Sequence, residues 1–265
     1  MARAWLTDRS VLSVSGQDRV SFLQGLVSND VTLADSRNLI WSGFLTPQGR
    51  YLSDFFIWHD GETLLLDVPV SHAAFLRTRL SRFRLRADVQ IEETALGVEA
   101  LWDSETAEDA RADPRLNAIG SRRIAPAGNA NDADALNAYH AHRLNLGVTD
   151  SSDCESEKTL LLEANFDWLN GISFQKGCYM GQELTARTHY RGLVKKRLVP
   201  VQSDQALPQP GTILRDGERE IGQMRSSIGT HGLALLRREV WAQDITHEGL
   251  ILTPQLPDWF GEETP

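Results

Sequence analysis

The sequence predicts an α+β fold built from antiparallel sheets and a few helices, followed by a small C-terminal β-barrel. Apolar runs between residues 39 and 68 are separated by the turn sequences Pro47-Gln48-Gly49 and His59-Asp60-Gly61-Glu62, which is typical of antiparallel strands. Segments with helical spacing of apolar residues lie on both sides of these runs. After residue 192, short strand-like runs recur at close spacing, which favours a barrel.

The first half of the chain alternates strand and helix patterns. We predict strands over residues 11–14, 39–45, 51–58 and 63–68. A helix over residues 17–27 would be capped by Ser15, with Asp18 three residues later. A second helix over residues 70–86 would bury Leu76, Leu80 and Phe83 on one face.

Further strands are predicted over residues 89–93, 97–102 and 122–125, with a surface loop at 103–113 and a linker at 126–131. A third helix would begin at Asp132 or Asp134 and run to about residue 146, where Gly147 provides a stop. The barrel strands are predicted over residues 194–201, 212–215, 220–226 and 233–236, and the end of the tail that starts at residue 253 is expected to fray. This divides the chain into regions 1–190, with a possible break at 126–131, and 191–265.

Composition and charge exclude several classes of protein. The chain has 265 residues, enough for one large domain or two to three small ones, and 41% of them are hydrophobic. A net charge of −9 argues against a nucleic-acid binder held by phosphate contacts. No apolar run approaches the ~20 residues of a membrane helix, and the N-terminus lacks the apolar core of a signal peptide. We therefore expect a cytoplasmic protein with no direct nucleic-acid partner and no membrane partner.

The two cysteines are too few for a disulfide scaffold or for a complete four-cysteine metal site. Cys154 lies among Asp153, Glu155 and Glu157, which would raise its pKa, so we interpret it as incidental. Cys178 is the candidate ligand or nucleophile. A metal bound there would need further ligands from a partner, a second copy or a small thiol.

Cys178 lies between two glycines, in a tight loop just before a helix that we predict to begin after Gly181. A helix N-terminus and the nearby cations Lys176 and Arg187 favour the thiolate form. The alternative is that Cys178 is a small buried hydrophobic residue, as most free cysteines are. His189 could pair with Cys178, although a surface histidine is the favoured interpretation.

The stretch Lys176-Gly177-Cys178-Tyr179-Met180-Gly181-Gln182-Glu183 resembles the K-G-C-Y-x-G-Q-E signature of the YgfZ family. Those folate-binding proteins support iron–sulfur enzymes, and their mitochondrial relatives are late-acting iron–sulfur assembly factors. The family resembles the T-protein (aminomethyltransferase) of the glycine cleavage system in fold. Residues 16–25 are similar to its G-x-D-x-x-x-F-L-Q-G run, and residues 221–236 resemble the C-terminal barrel of the T-protein fold.

The resemblance implies a site that binds tetrahydrofolate or another reduced folate, together with a transient iron–sulfur cluster shared with a partner. Cys178 and Lys176 would be the reactive thiolate and its cation. Gln182 and Glu183 would hold the loop, and Arg187 would pair with Glu183 or bind the folate carboxylate. The full set of expected cofactor-binding residues is Gln24, Asn29, Asp54, Asn145, Tyr179, Gln182, Glu183 and Arg187. Gln24 and Asn29 have an equally weighted alternative as ordinary exposed polar residues.

Two positions depart from the T-protein pattern. Residues 45–54 match T-P-x-G-R-x-x-x-D, but the T-protein has paired aspartates where this chain has Ser53 and Asp54. Asp54 could contact a pterin or be a carboxylate on a strand surface. The R-x-x-x-G segment at residues 143–147 carries Asn145 where the T-protein has a folate-binding glutamate, and an amide cannot act as a base near neutral pH.

Five arginines lie in the predicted helix over residues 70–86 and could form a cationic surface for the polyglutamate tail of folate or for an acidic partner. The favoured alternative is a solvated helix face.

The resulting hypothesis is a folate-binding accessory protein that supports assembly or repair of iron–sulfur clusters in client enzymes, including tRNA-modifying enzymes, rather than a stand-alone enzyme. Its partners would be folate and iron–sulfur assembly proteins or client enzymes. The alternative is a folate-dependent aminomethyl or one-carbon transferase. A thiol hydrolase and a scaffold without a ligand are less favoured.

Overall fold

The computed structural model describes residues 2–103, 107–127 and 132–261. In the first part of the chain the strands are β1 Ala2–Trp5, β2 Arg9–Ser15, β3 Ile40–Leu45, β4 Tyr51–Asp60, β5 Thr63–Pro69, β6 Gln90–Glu93, β7 Leu96–Trp102, β8 Arg111–Ala112 and β9 Ser121–Pro126. The helices are α1 Arg19–Gln24, α2 Val70–Phe83, α3 Ala133–Asn145 and α4 Gln182–Tyr190. The later strands are β10 Lys196–Gln202, β11 Ile213–Asp216, β12 Arg219–Ile228, β13 His231–Arg237, β14 Ile245–His247 and β15 Leu250–Pro254.

A five-stranded antiparallel sheet, in the order β3-β4-β5-β2-β6, forms the centre of the first part. Its strand β4 is buried on both faces, because side chains alternate between two apolar clusters. Phe55 and Ile57 pack with the cluster that includes Leu76 and Leu80 of α2, whereas Phe56 and Trp58 belong to the other cluster. The three strands predicted over residues 39–68 are thus confirmed.

A second antiparallel sheet, in the order β1-β7-β9-β8, packs with the first through the cluster that contains Ala4, Val98 and Trp102. Helix α3 contacts β1 and also strands β12 and β13. It begins after Asp132, whose carboxylate accepts the backbone N–H of Ala135, and Gly147 follows its end at φ +74°. Asp132 is one of the two predicted caps, and the helix ends one residue before its predicted end at about residue 146. Most of the predicted linker at 126–131 lies outside the described residues.

The C-terminal sheet runs in the order β11-β12-β13-β10-β15-β14, and its outer strands β11 and β14 contact each other. The sheet therefore closes nearly into a barrel around its own apolar cluster. The sequence did not predict β14 and β15, and residues 262–265, at the end of the tail that is expected to fray, lie outside the described residues. Thr253 and Pro254 pair with β10, and Trp259 donates to the carbonyl of Leu146 at 2.9 Å.

Helix α1 is shorter than predicted and does not use Ser15 as a cap. Gly16 lies at φ +101°, and a Cβ there would stand 2.1 Å from the carbonyl oxygen of Asp88. The Asp18 carboxylate accepts the backbone N–H of Asp88 at 2.8 Å instead of capping its own helix. The turn is therefore held by a distant loop, which a local sequence pattern does not reveal. No helix in the described part of the chain is long and apolar enough to cross a bilayer.

Candidate functional site

Cys178 lies at the exposed tip of the loop that leads into α4. The interpretation of Cys178 as a buried hydrophobic residue is therefore wrong. Gly177 beside it has no atom within 4 Å of the position of a Cβ. No hydrogen bond to the Cys178 sulfur occurs among residues 2–103, 107–127 and 132–261. The thiol is thus free to meet a reactant or metal from solvent. We call residues 173–181 the motif loop.

The motif loop is anchored on one side to the chain that follows α1. The Lys176 ammonium donates to the carbonyl oxygens of Val27 and Asn29 at 2.8 and 2.7 Å. Backbone bonds add to this, from Ser173 to Ser28 and from Met180 to Gly25. Burial lowers the pKa of Lys176 to about 8, and the Asp30 carboxylate partly opposes this shift. Two of the three ammonium donors are therefore used to hold the loop.

On its other side the motif loop packs on the turn between β3 and β4. Gly181 has φ +83°, and a Cβ there would lie 2.6 Å from the carbonyl oxygen of Thr46 and 3.0 Å from the Cα of Gly49. Only glycine permits so close an approach of two backbones. Tyr179, buried between these anchors, has its ring 5.2 Å from the Lys176 ammonium. The loop is thus fixed at both flanks while Cys178 projects.

A cleft of about 400 Å³ lies beside the motif loop. Its lining residues are Asn29, Leu33, Ile40, Pro114, Asn170, Ile172, Ser173, Phe174 and Gln175. Several of these are apolar, which suits a flat heteroaromatic ring. The Asn29 amide is engaged, because it donates to the carbonyls of Trp41 and Asn170, so the exposed Gln175 is the lining amide free to contact a ligand.

Four predicted binding residues, Gln24, Gln182, Glu183 and Arg187, do not line this cleft. Gln24 is half-buried and bridges α1 to the next turn, donating to Asp30 and accepting from the N–H of Val31. The side chain of Glu183 is 94% exposed, so the expectation that Glu183 holds the loop is wrong. Its carboxylate lies 4.0 Å from Arg187, an exposed pair of the predicted spacing that contributes little. Gln182, at the start of α4, is half-buried.

Asn145 is exposed at the last residue of α3, and no hydrogen bond of its side chain occurs in the described part of the chain. His189 stacks on Phe174 with ring centroids 3.9 Å apart. Cys154 is half-buried, and burial followed by the charges of Asp54, Asp153 and Asp150 raises the pKa of its thiol well above the usual value. The expected direction for Cys154 is confirmed, although Asp153 is the only one of the three predicted neighbours among these causes.

Asp54 lies on the inner face of β4, and the interpretation as a strand-surface carboxylate is wrong. It is 1% exposed, and its two oxygens bond the hydroxyl of Tyr51 at 2.6 Å and the indole N–H of Trp41 at 2.8 Å. Burial raises the pKa of Asp54, the charge of Asp150 adds to this, and the cation Arg9 opposes it. Asp54 is thus a sealed carboxyl that favours its neutral form.

Next to Asp54 the structure shows a buried ionic network that the sequence analysis missed. Asp67 accepts from Arg9 at 2.6 Å and from Arg122 at 3.0 Å. The guanidinium of Arg122 also lies 4.1 Å from the ring centroid of Phe56. We call this network the arginine–aspartate cluster; its members are Arg9, Asp67, Asp113, Arg115, Arg122, Arg143, Asp150 and Asp153. Asp67 within an otherwise apolar strand was the one local signal for it.

No three His, Cys, Asp or Glu side chains converge as metal ligands within the described ranges.

Comparison with known proteins identifies relatives over most of the chain. It is 39% identical over 234 residues to "Iron-sulfur cluster assembly factor IBA57 homolog, mitochondrial" of Mycosarcoma maydis, covering 77% of this chain and 58% of that protein. It is 32% identical over 306 residues to "Iron-sulfur cluster assembly factor IBA57, mitochondrial" of Homo sapiens, covering 96% of this chain and 84% of the human protein. The chain thus spans little more than half the length of the fungal relative.

These relatives correct one expectation. Both are named as mitochondrial proteins, which points to mitochondria and contradicts the predicted cytoplasmic location. The relatives carry the IBA57 name, so the YgfZ label itself stays a prediction.

The fold and the barrel have matches of their own. The crystal structure of glycine cleavage system aminomethyltransferase T from Bartonella henselae superposes with a TM-score of 0.75 at 14% identity, covering 97% of this chain and 86% of that one. This confirms the predicted T-protein-like fold. Residues 195–262 match the family described as "CAF17, C-terminal beta-barrel domain". With the identity and coverage of the human relative, the chain belongs to the IBA57 family of iron–sulfur cluster assembly factors.

Proposed function

We propose that this protein binds a reduced folate and supports the assembly or repair of iron–sulfur clusters in client enzymes, with Cys178 as its reactive thiol. The observation that carries the proposal is the position of Cys178, an exposed thiol on a loop anchored by Lys176 and Gly181. The names of its relatives support the iron–sulfur role. Its partners would be iron–sulfur assembly proteins or client enzymes, among them tRNA-modifying enzymes.

Cys178 can supply one thiolate ligand to a cluster, which ordinarily needs four protein ligands. The cluster is cargo in this proposal, and a partner protein or small thiol completes its ligand set. The motif loop keeps the sulfur in one place, so that ligand exchange with a partner needs little rearrangement.

The cleft beside the motif loop is the proposed folate site. Leu33, Ile40 and Phe174 offer apolar surface to a pterin ring, and Gln175 offers an amide to its polar edge. A larger side chain at Leu33→Trp should narrow the cleft and weaken tetrahydrofolate binding in equilibrium dialysis. The matched control is Leu256→Trp, since Leu256 is also exposed and lies outside the cleft. Equal binding by both variants would place folate elsewhere or exclude it.

Aminomethyl transfer is disfavoured by the state of two residues. Asp54 is sealed beneath Trp41 and Tyr51, so it cannot reach a ligand in the cleft without repacking. Asn145 is uncharged and exposed. Incubation with an aminomethyl-loaded lipoyl carrier protein and tetrahydrofolate tests this, and production of methylenetetrahydrofolate would favour the transferase.

The central experiment is anaerobic iron and sulfide analysis of the purified protein, alone and mixed with an iron–sulfur scaffold protein. Wild type should retain cluster iron in the mixture, and Cys178→Ser should not. Cys154→Ser is the matched control because it removes the other cysteine, and it should behave as wild type. Complementation of an iron–sulfur-dependent tRNA modification should fail for Cys178→Ser alone. Full cluster retention and complementation by Cys178→Ser would remove Cys178 from the mechanism.

A further inference from the structure

The outer face of α2 and the turn after it form a basic surface that the proposed function does not use. Residues 70–87 contain five arginines and no Asp or Glu, in a chain whose net charge is −9. The helix buries Ala73, Leu76 and Leu80, and turns its other side to solvent. Phe75, Arg79 and Arg82 follow one another at helical spacing, so they lie on one stripe.

The charges of this surface are largely unmatched. Arg82 and Arg86 are exposed and have no carboxylate partner among the described residues. Arg77 pairs with Glu93 at 3.3 Å at the edge of the surface, and Arg84 donates to the carbonyl of Val89. The nearby Asp18 and Asp88 carboxylates accept backbone N–H groups of the α1 turn and its neighbour. Arg82, at the end of α2, and Arg86, in the turn after it, therefore carry the positive charge that no carboxylate of the described residues contacts.

Leu85 lies between Arg84 and Arg86 in the turn after α2. It is 90% exposed and lies at φ +47°, a left-handed conformation that costs a branched residue energy. A turn alone would be served better by glycine or asparagine. Phe75, one helical turn before Arg79 on the stripe described above, is 43% exposed. Apolar side chains held in solvent beside unpaired arginines indicate a surface that is covered in another state.

We propose that the end of α2 binds the surface of an anionic lipid bilayer, with Leu85 inserted between headgroups and Arg82 and Arg86 on lipid phosphates. A bilayer interface offers phosphate above hydrocarbon, which matches arginines around a projecting apolar side chain. A folded protein partner would need an acidic pocket shaped to a protruding leucine, whereas lipids adapt to it. Two arginines and one leucine give weak, reversible, salt-sensitive association, and surface binding of this kind requires no membrane-spanning helix.

Vesicle flotation of the intact protein tests the proposal. Vesicles of phosphatidylcholine alone are compared with an equal mixture of phosphatidylcholine and phosphatidylglycerol, at low and high salt. At about 1 kcal/mol for each arginine near the surface, Arg82→Gln/Arg86→Gln should weaken binding to the anionic vesicles about thirtyfold. The matched control Arg37→Gln/Arg215→Gln removes two exposed arginines elsewhere and should change binding little. Leu85→Ser should weaken binding about tenfold without altering its salt dependence.

Several outcomes would overturn the proposal. They are absence of binding to anionic vesicles, equal binding to both vesicle types, and equal losses in the two double variants. A further arm uses poly-L-glutamate as the probe, since an acidic polypeptide is the competing partner. If poly-L-glutamate binds and anionic vesicles do not, the surface serves an acidic partner and the membrane proposal is wrong. These measurements do not involve Cys178 or folate, so they fail or succeed independently of the proposed function.

Discussion

The Lys176 ammonium donates to the carbonyl oxygen of Asn29 at 2.7 Å, and this bond ties the motif loop to the segment after α1. We predict that Lys176→Met removes it together with the bond to Val27 and lowers the free energy of unfolding by about 2–4 kcal/mol. The loop should also loosen, which limited proteolysis near residue 177 would detect. Urea unfolding measures the change in the free energy of unfolding.

Lys158→Met is the control for this prediction. Its ammonium forms an exposed pair with Glu155 at 3.2 Å, which should contribute at most about 1 kcal/mol. If Lys158→Met and Lys176→Met lower stability equally, the two carbonyl bonds do not anchor the loop.

A pair of glycine substitutions tests the other anchor. Gly181→Ala forces a Cβ to 2.6 Å from the Thr46 carbonyl at a positive φ, so we expect a loss of about 2–4 kcal/mol. Gly177→Ala meets no atom within 4 Å and should change stability by less than about 0.5 kcal/mol. Thermal unfolding compares the midpoints of the two variants. Similar midpoints would mean that the backbone around Gly181 moves to accommodate a Cβ at little cost.

The two thiols should differ in reactivity. Cys178 is exposed, whereas Cys154 is half-buried with a raised pKa, so a thiol reagent should modify one cysteine rapidly in the folded protein and both after unfolding. Mass spectrometry of peptides identifies the modified residue. Rapid native modification of Cys154 would contradict its burial, and Cys178→Ser should abolish the fast phase.

Substitution of asparagine for each of two buried aspartates should lower stability by very different amounts. Asp67→Asn breaks pairs with Arg9 and Arg122 and should cost about 3–5 kcal/mol. Asp54→Asn replaces a carboxyl whose pKa is raised by burial. The amide oxygen can accept the indole N–H of Trp41 and the amide NH2 can donate to the hydroxyl of Tyr51, so the loss of stability should be smaller, about 1 kcal/mol. Equal losses in the two variants would show that an amide does not replace the buried carboxyl of Asp54.

The pH dependence of stability follows from the same residue. The pKa of Asp54 in the native protein is raised above 3.8, the ordinary value that applies to the unfolded chain. At a pH between the unfolded and the native pKa, the native state holds a proton that the unfolded chain has released. Asp54 therefore stabilises the wild type at low pH, and this contribution is lost as the pH rises through its native pKa. The stability of Asp54→Asn relative to wild type should increase over that window, as urea unfolding at several pH values would show.

Local patterns predicted the local parts of the fold. The strands around β4 and the ends of α3 follow from alternation, turn residues, Asp132 and Gly147. The motif loop was predicted in the same way, including the start of α4 after Gly181. Features set by distant residues were missed, such as the Gly16 contact with Asp88 that shortens α1.

The predicted site residues also differ in whether local sequence or tertiary packing sets their position. Neighbours in sequence, such as Lys176 and Tyr179, are neighbours in the site. Asp54 and Asn145 were assigned by resemblance, and the tertiary packing of β4 and α3 places one under Trp41 and the other in solvent. Burial of a polar side chain depends on which sheets meet above it, and no single segment carries that information.

The arginine–aspartate cluster has a consequence for how the molecule assembles. Asp67 on β5 pairs with Arg9 on β2 of the same sheet and with Arg122 on β9 of the second sheet, so the cluster is complete only when both sheets have come together. Before the sheets pack, each sheet exposes charged side chains without all of their partners on the face that becomes buried. Because burying these charges without their partners is costly, packing of the two sheets in a wrong arrangement is disfavoured.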